Sequence, residues 1–272
     1  MRQKLGQHFL INKSAIQKIV AALNLQPNDT VIEIGPGKGS LTLPLIKICR
    51  EINCQLIAVE KDPTLAKELG ENIQITNHKL QIIEGDALKV LSGIIPNSLF
   101  KIQKYKVVGN IPYYITGKLL RVLSELENKP ELTILMIQRE VAERVCAQQP
   151  KMNLLAAAVQ FWANPAMLFT LQPSDFSPPP QVESAVIKLA LRTAANSSQP
   201  DNYYRLIRAV YKQPRKTLFN NLRSGLEIRE NELKTALKTL KIDPESRPQN
   251  LSLAQLELLT NLLFVSLGKK EL

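Results

Sequence analysis

The sequence predicts an α/β fold: a mainly parallel seven-stranded sheet with an antiparallel edge strand, followed by a small all-α C-terminal domain. Three observations carry this. Short β-branched runs alternate with longer helical stretches through the first part of the chain, the pattern of strands joined by crossover helices. The first long strand pattern runs straight into the glycine turn Gly35-Pro36-Gly37-Lys38-Gly39. Beyond Thr193 the β-branched runs stop, and helical periodicity with interleaved Lys and Arg takes over.

In order along the chain, Ser14-Ala15-Ile16-Gln17 has the form of a capping box. It opens a helix whose apolar face is Ile16, Ile19, Val20 and Leu23, one side of a 3.6-residue period. Pro27-Asn28-Asp29 ends it. The strand runs are Thr30–Ile34, Leu56–Glu60, Leu80–Glu84, Lys106–Gly109, Leu132–Gln138, Ala166–Leu171 and Ser184–Leu191. Helices are expected over Ser40–Cys49, Pro63–Asn72, around Leu88–Leu91, over Lys118–Leu126 and over Arg139–Gln148. A polar, proline-rich connection joins the last two strands, which are expected to pair antiparallel at a sheet edge. Ala194–Asn202 reads as a polar linker, and Leu251–Leu267 as a final amphipathic helix entered at Asn250 or Ser252. The domains are therefore placed at 1–192 and 203–272.

Composition narrows the function. Of 272 residues, 44% are hydrophobic, enough for a sizeable core. No stretch approaches the roughly 18 apolar residues of a membrane span, and no secretory signal is expected. Lys and Arg outnumber Asp and Glu by 35 to 24, and the net charge of +11 favours a polyanionic partner. Aromatics, at 5%, are too few for a broad base-stacking platform. Cys49, Cys54 and Cys146 are odd in number and lack CxxC spacing. That argues against a disulfide framework and for a reducing cytoplasm. The two histidines, His8 and His78, sit at no ligand spacing, so no metal site is expected.

Three strand ends converge on one ligand. Glycines at alternate positions after Glu33-Ile34 let the backbone turn sharply and a ligand approach. The pattern is G-x-G-x-G, not the dinucleotide G-x-G-x-x-G. Glu60 ends the next strand about 20 residues on, where a carboxylate accepts from ribose hydroxyls. Glu60 is a better candidate than Asp62 because it directly continues the apolar strand. Gly85-Asp86-Ala87 closes the third strand and places Asp86 for an adenine amino group. All three lie at carboxyl ends of strands, where open α/β sheets bind ligands.

The fourth strand ends in Asn110-Ile111-Pro112-Tyr113. An adenine N6 amine is a poor nucleophile because its lone pair is delocalised into the ring. Two acceptors aimed at its protons, the Asn110 side-chain oxygen and the Ile111 or Pro112 carbonyl, localise that lone pair. Pro112 fixes the turn. Tyr113 stacks on the extruded base. In isolation the same residues also read as an Asn-x-Pro turn with core aromatics.

Together, these pieces resemble the ribosomal RNA adenine dimethyltransferase family. The matching segments are Lys4–Leu10, Glu33–Gly37, Val59-Glu60, Gly85–Ala87, Val108–Ile115, Gln138–Arg144, Phe176–Val186 and Arg215–Leu218. They occur in order and span most of the chain. The resemblance implies a Rossmann-like methyltransferase fold and S-adenosylmethionine as cofactor. It implies that His8 and Leu10 contact the cofactor, that Gly35 approaches its methionine moiety, Glu60 its ribose and Asp86 its adenine, with Gly37, Lys61 and Ala87 as further cofactor-binding residues. Asn110 would face cofactor and substrate. Phe176, a core or loop aromatic by its own pattern, would face Tyr113 across the base. Catalysis is thus assigned to Asn110, Pro112, Tyr113 and Phe176.

Arg215–Leu222 is similar to the small-subunit housekeeping members, which dimethylate two adjacent adenosines near the 3′ end of 16S ribosomal RNA within a small-subunit particle. Lys212, Arg215, Lys216 and Arg223 form a basic strip suited to phosphates, or else a solvated helix face. Gly117-Lys118 and Lys151–Leu154 depart from the family pattern, which puts an RNA-side loop in question. A monomeric cytoplasmic enzyme of 16S RNA is therefore expected. The competing readings are a resistance-type methyltransferase of 23S RNA and an RNA-binding assembly or transcription factor on this scaffold. A nicotinamide oxidoreductase is disfavoured by the missing G-x-G-x-x-G.

Overall fold

A computed structural model describes residues 7–73, 79–94, 104–193 and 199–264. His78, residues 4–6 of the first motif and residues 194–198 of the linker lie outside them. The described residues open with β1 (Phe9–Leu10) and α1 (Lys13–Ala22), then alternate: β2 (Thr30–Ile34), α2 (Thr42–Ile52), β3 (Gln55–Glu60), α3 (Pro63–Asn72), β4 (Leu80–Glu84), α4 (Ala87–Ile94), β5 (Tyr105–Asn110), α5 (Thr116–Glu125) and β6 (Leu132–Gln138). Then come α6 (Arg139–Val145), α7 (Leu154–Gln160), β7 (Ala163–Leu171), β8 (Phe176–Ser177) and β9 (Ser184–Leu191). Among the described residues four helices follow: α8 (Pro200–Val210), α9 (Leu218–Gly225), α10 (Glu230–Thr239) and α11 (Leu253–Phe264).

The seven-stranded sheet runs β4-β3-β2-β5-β6-β9-β7. Strands β2 to β6 pair in parallel, and β9 pairs antiparallel with β6. The pair β7/β9 does lie at one side of the sheet. Its antiparallel member, β9, is inserted between β6 and β7, so it stands one place in from the edge. Every residue of β2 is buried, as befits a central parallel strand covered on both faces. The order reverses direction between β2 and β5, so the carboxyl ends of these strands flank a crevice.

Several local expectations are corrected. The first helix is capped by Asn12, whose side chain accepts from the Ala15 N–H at 3.0 Å. Asn12 satisfies an early N–H two residues before Ser14, so Ser14 lies inside the helix. Cys49 and Cys54 form a disulfide, with Cα atoms 4.3 Å apart. Asn53, in the left-handed conformation at φ 61°, folds the end of α2 back onto β3 and brings them together. The strands β1 and β8 have no counterpart among the predicted elements. They pair antiparallel as a two-stranded ribbon, Leu10 opposite Phe176.

The chain forms two units, residues 1–142 with 164–191, and 143–163 with 192–272. The sequence boundary kept α7 with the sheet. Its Ala156 and Ala157 instead share a core with Tyr203, Leu206 and Leu259. Phe161 stacks on Tyr203 at 4.1 Å, and the Tyr203 hydroxyl donates to the Ala157 carbonyl at 3.0 Å. Ser252 makes a reciprocal cap with Gln255 at the start of α11.

At the end of the sheet away from the crevice, Lys106 is 5% exposed. Its ammonium donates to Asp29 and to the Asn24 carbonyl, both at 2.8 Å. A buried ammonium left without its carboxylate is costly. Asp29→Ala is expected to lower unfolding free energy by about 3 kcal/mol in urea titration; a loss under about 1 kcal/mol would contradict this account of the pair.

Candidate active site

Three glycines shape the floor of the crevice. Gly35 and Gly37 have φ values of 65° and 55°, where a side chain is strained. A Cβ on Gly37 would also stand 2.8 Å from the Phe9 ring. The third, Gly109, is there for close packing, since a Cβ at this position would stand 2.6 Å from the Ile34 carbonyl. Its bare backbone lets the end of β5 close against the end of β2 and sets Asn110 beside the glycine turn.

Glu60 ties this turn together. It is 6% exposed. Its Oε2 accepts from the Gly37 N–H at 3.0 Å and its Oε1 from the Asp62 N–H at 2.9 Å. A carboxylate offers about four lone-pair sites, so acceptor capacity remains for a ligand's hydroxyls. Asp62 has a separate duty as the N-cap of α3, accepting from Thr64 and Leu65. Asp86 accepts from the Leu88 N–H at 3.0 Å and from the Lys61 ammonium at 3.0 Å. Partial burial pushes the Asp86 carboxyl up, but Lys61 and the Leu88 N–H outweigh it, and the net shift is downward.

An open cavity is lined by Gln7, His8, Phe9, Gly35, Gly37 and Glu60 on one side. Asn110, Ile111, Pro112 and Tyr113 complete the lining. The Asn110 Nδ2 donates to the His8 carbonyl at 2.7 Å. A carbonyl only accepts, so this bond fixes the amide and turns its oxygen the other way. Opposite Tyr113 lies the His8 ring, nearly parallel to it at 25° and 6.2 Å between centroids. The His8 Nδ1 is 2.8 Å from the Pro178 carbonyl.

Thus His8, Gly35, Gly37, Glu60, Asn110, Pro112 and Tyr113 come together as the sequence suggests. Five others, Leu10, Lys61, Asp86, Ala87 and Phe176, do not line this cavity. Leu10 is 2% and Phe176 3% exposed, both within the core under the sheet. Their cross-strand pairing directs them inward, so Phe176 is a core aromatic here and His8 is the ring that faces Tyr113. Lys61 is committed to Asp86, and Ala87 is a buried residue at the start of α4. Ile111 lines the cavity as its carbonyl's candidacy suggests, whereas sequence reasoning assigns no contact to Gln7 or Phe9 individually, although both belong to the Lys4–Leu10 segment.

Glu33, on β2, is the buried carboxyl this site has to accommodate. It is 1% exposed and its Oε2 meets no donor among the described residues. Burial pushes its pKa up to about 8, the Thr42 hydroxyl opposes this, and the Glu60 carboxylate adds to it. The folded protein therefore holds a proton there that the unfolded chain releases near pH 4.5. More protons bound when folded means stability declines as pH rises between those values. The urea midpoint of the cofactor-free protein is expected to fall from pH 5 to pH 8, by a few kcal/mol in free energy. Glu33→Gln should flatten that decline, and an equal decline in the variant would contradict it.

The cradle fits an adenosyl cofactor. It combines left-handed glycines that leave room for a ligand's close approach, a buried carboxylate with spare acceptor sites, and an open crevice at the carboxyl ends of β2 and β5. In the second unit, Asn221 is 0% exposed and organises the loop before α9. Its Nδ2 donates to the Gln213 and Thr217 carbonyls at 3.0 and 3.1 Å, and its Oδ1 accepts from the Gln213 N–H at 2.9 Å. That loop carries exposed Lys212, Arg215 and Lys216. Arg223 is also exposed, in an ion pair with Glu230 at 3.1 Å.

The family model for Ribosomal RNA adenine dimethylase matches residues 1–263. The Ribosomal RNA small subunit methyltransferase A of Dehalococcoides mccartyi is 40% identical over 266 residues, 95% of this chain and 87% of that one. The protein of the same name from Pelotomaculum thermopropionicum is 39% identical, covering 93% and 88%. Among solved structures, a dimethyladenosine transferase from Plasmodium falciparum superposes with a TM-score of 0.78 at 24% identity, covering 97% and 98%. The 23S rRNA methyltransferase ErmE superposes at 0.72 and 22% identity, covering 94% and 99%. These two establish the fold. With the family matched over nearly its whole length, the chain belongs to the ribosomal RNA adenine dimethylases, which are S-adenosylmethionine-dependent methyltransferases.

Proposed function

We propose that the chain methylates N6 of two adjacent adenosines near the 3′ end of 16S ribosomal RNA, to N6,N6-dimethyladenosine, during small-subunit assembly. The observation that carries the chemistry is the fixed amide of Asn110 beside the glycine cradle. The relatives named for small-subunit RNA support the choice of substrate. We place this monomeric enzyme in the cytoplasm with its ribosomal partner; no described helix is long and apolar enough to cross a membrane.

S-adenosylmethionine, when bound, supplies an electrophilic methyl group. Glu60 is assigned to its ribose and the Gly35–Gly37 turn to its close approach. Asp86, neutralised in part by Lys61, is assigned to its adenine. The Asn110 oxygen accepts a hydrogen bond from the target N6 amine, which draws the nitrogen lone pair out of the ring. The second acceptor is the Ile111 carbonyl, because the Pro112 carbonyl already accepts from the Ile115 N–H at 3.0 Å. Tyr113 offers its face to the extruded base. No strong base is needed, since orientation and two aimed acceptors act on an amine that loses its proton only after methylation. Lys212, Arg215 and Lys216 are assigned to RNA phosphates.

Labelled cofactor offered with undermethylated small subunits, or with large-subunit RNA, tests the substrate. Incorporation into small subunits is expected, and incorporation into large-subunit RNA alone would overturn the proposal. Asn110→Ala should slow transfer about 100- to 1,000-fold while cofactor still binds; near-normal transfer would refute its role. Arg215→Ala with Lys216→Ala should weaken particle binding and lower the slope of log affinity against log salt by about 1–2. An unchanged slope would remove both residues from the phosphate contacts.

A further inference from the structure

The cavity's one ring that must present a flat face to a base, Tyr113, sits on a short 3₁₀ turn, Tyr113–Ile115. Such a turn alone leaves the side chain free to swing about its χ1 bond. The Tyr113 hydroxyl, however, shares a hydrogen bond of 2.8 Å with the Ser184 hydroxyl. Ser184 is 0% exposed and is the first residue of β9. It pairs with Gln138, the last residue of β6, and β6 in turn pairs with β5, where Met136 faces Asn110. The residue before it is clamped as well. Glu183 accepts from Arg139 at 2.6 Å and from Gln172 at 3.0 Å, and its carbonyl accepts from the Arg139 N–H at 3.0 Å. Ser184 is therefore a fixed point of the same sheet that carries Asn110.

We propose that Ser184 is a positioning residue for methyl transfer: it tethers the para end of Tyr113, so that the ring face stands at a set angle to the Asn110 acceptor. A ring held at both Cβ and hydroxyl cannot turn edge-on to the base. The stacked base then presents its amine to Asn110 in one orientation, and proximity effects of this kind act on the rate more than on binding. The insertion of β9 between β6 and β7 is what brings a serine from so late in the chain to this place.

The inference rests on the methyl-transfer reading but not on which RNA is the acceptor. The test uses the full chain, saturating cofactor and undermethylated small subunits, or large-subunit RNA should that prove the acceptor. Ser184→Ala is expected to lower kcat about tenfold, the worth of one hydrogen bond. KM for the RNA and the cofactor Kd should stay within about twofold. Ser184→Thr, which keeps the hydroxyl, should recover most of the rate. Tyr113→Phe should lose a similar factor, and the double variant should be no slower than Tyr113→Phe alone. The tether is overturned by a normal kcat in Ser184→Ala, by losses that multiply in the double variant, or by failure of threonine to rescue. Loss of cofactor binding in Ser184→Ala would mark a purely structural role and overturn it too. If the unaltered chain transfers methyl to neither RNA, the methyl-transfer reading itself fails.

Discussion

The glycine turn holds its shape because one buried carboxylate answers two backbone N–H groups. Glu60 accepts from Gly37 and from Asp62, and so joins the loop after β2 to the start of α3. Buried N–H groups left unpaired are costly, and the Gly35 N–H, donating to the Val59 carbonyl at 2.9 Å, holds the same turn from its other end. The same carboxylate is the acceptor assigned to the ribose. Structure and ligand recognition thus share one residue, and a change at Glu60 acts on both.

The cost of that arrangement appears at Glu33. Burial is the main reason the Glu33 carboxyl holds its proton, and repulsion from Glu60 adds to it. Glu60 keeps its two N–H donors, whereas the Glu33 Oε2 has none among the described residues. The pair illustrates how environment gives like side chains unlike roles. On the substrate side the logic is geometric. The His8 carbonyl sets the Asn110 amide, the Ser184 hydroxyl sets Tyr113, and Gly109 lets both stand beside the cradle.

What was legible in the sequence was local. Four of the seven long strands, and helix α3, fall on the residues that hydrophobic alternation and turn chemistry mark. Gly35, Gly37, Glu60 and Asn110 were readable because each ends a strand, and parallel strands bring their ends together. The remainder depended on distant pairing. A two-residue strand such as β1 has no periodicity to detect, and its partner β8 lies far along the chain. That pairing buries Leu10 and Phe176, which the family resemblance had placed at the site. The role of Ser184 required knowing that β9 lies beside β6. Helix α7 joins the second unit through alanines that fit either core by sequence alone. The choice between Asn12 and Ser14 as cap turned on two residues with similar propensity.

The most direct measurement is the dissociation constant of S-adenosylmethionine for Glu60→Gln beside the unaltered chain. Glutamine keeps the shape but turns one acceptor into a donor, facing either the Gly37 or the Asp62 N–H. Cofactor binding is predicted to weaken about tenfold or more. A dissociation constant unchanged by this substitution would contradict the claim that Glu60 organises the site.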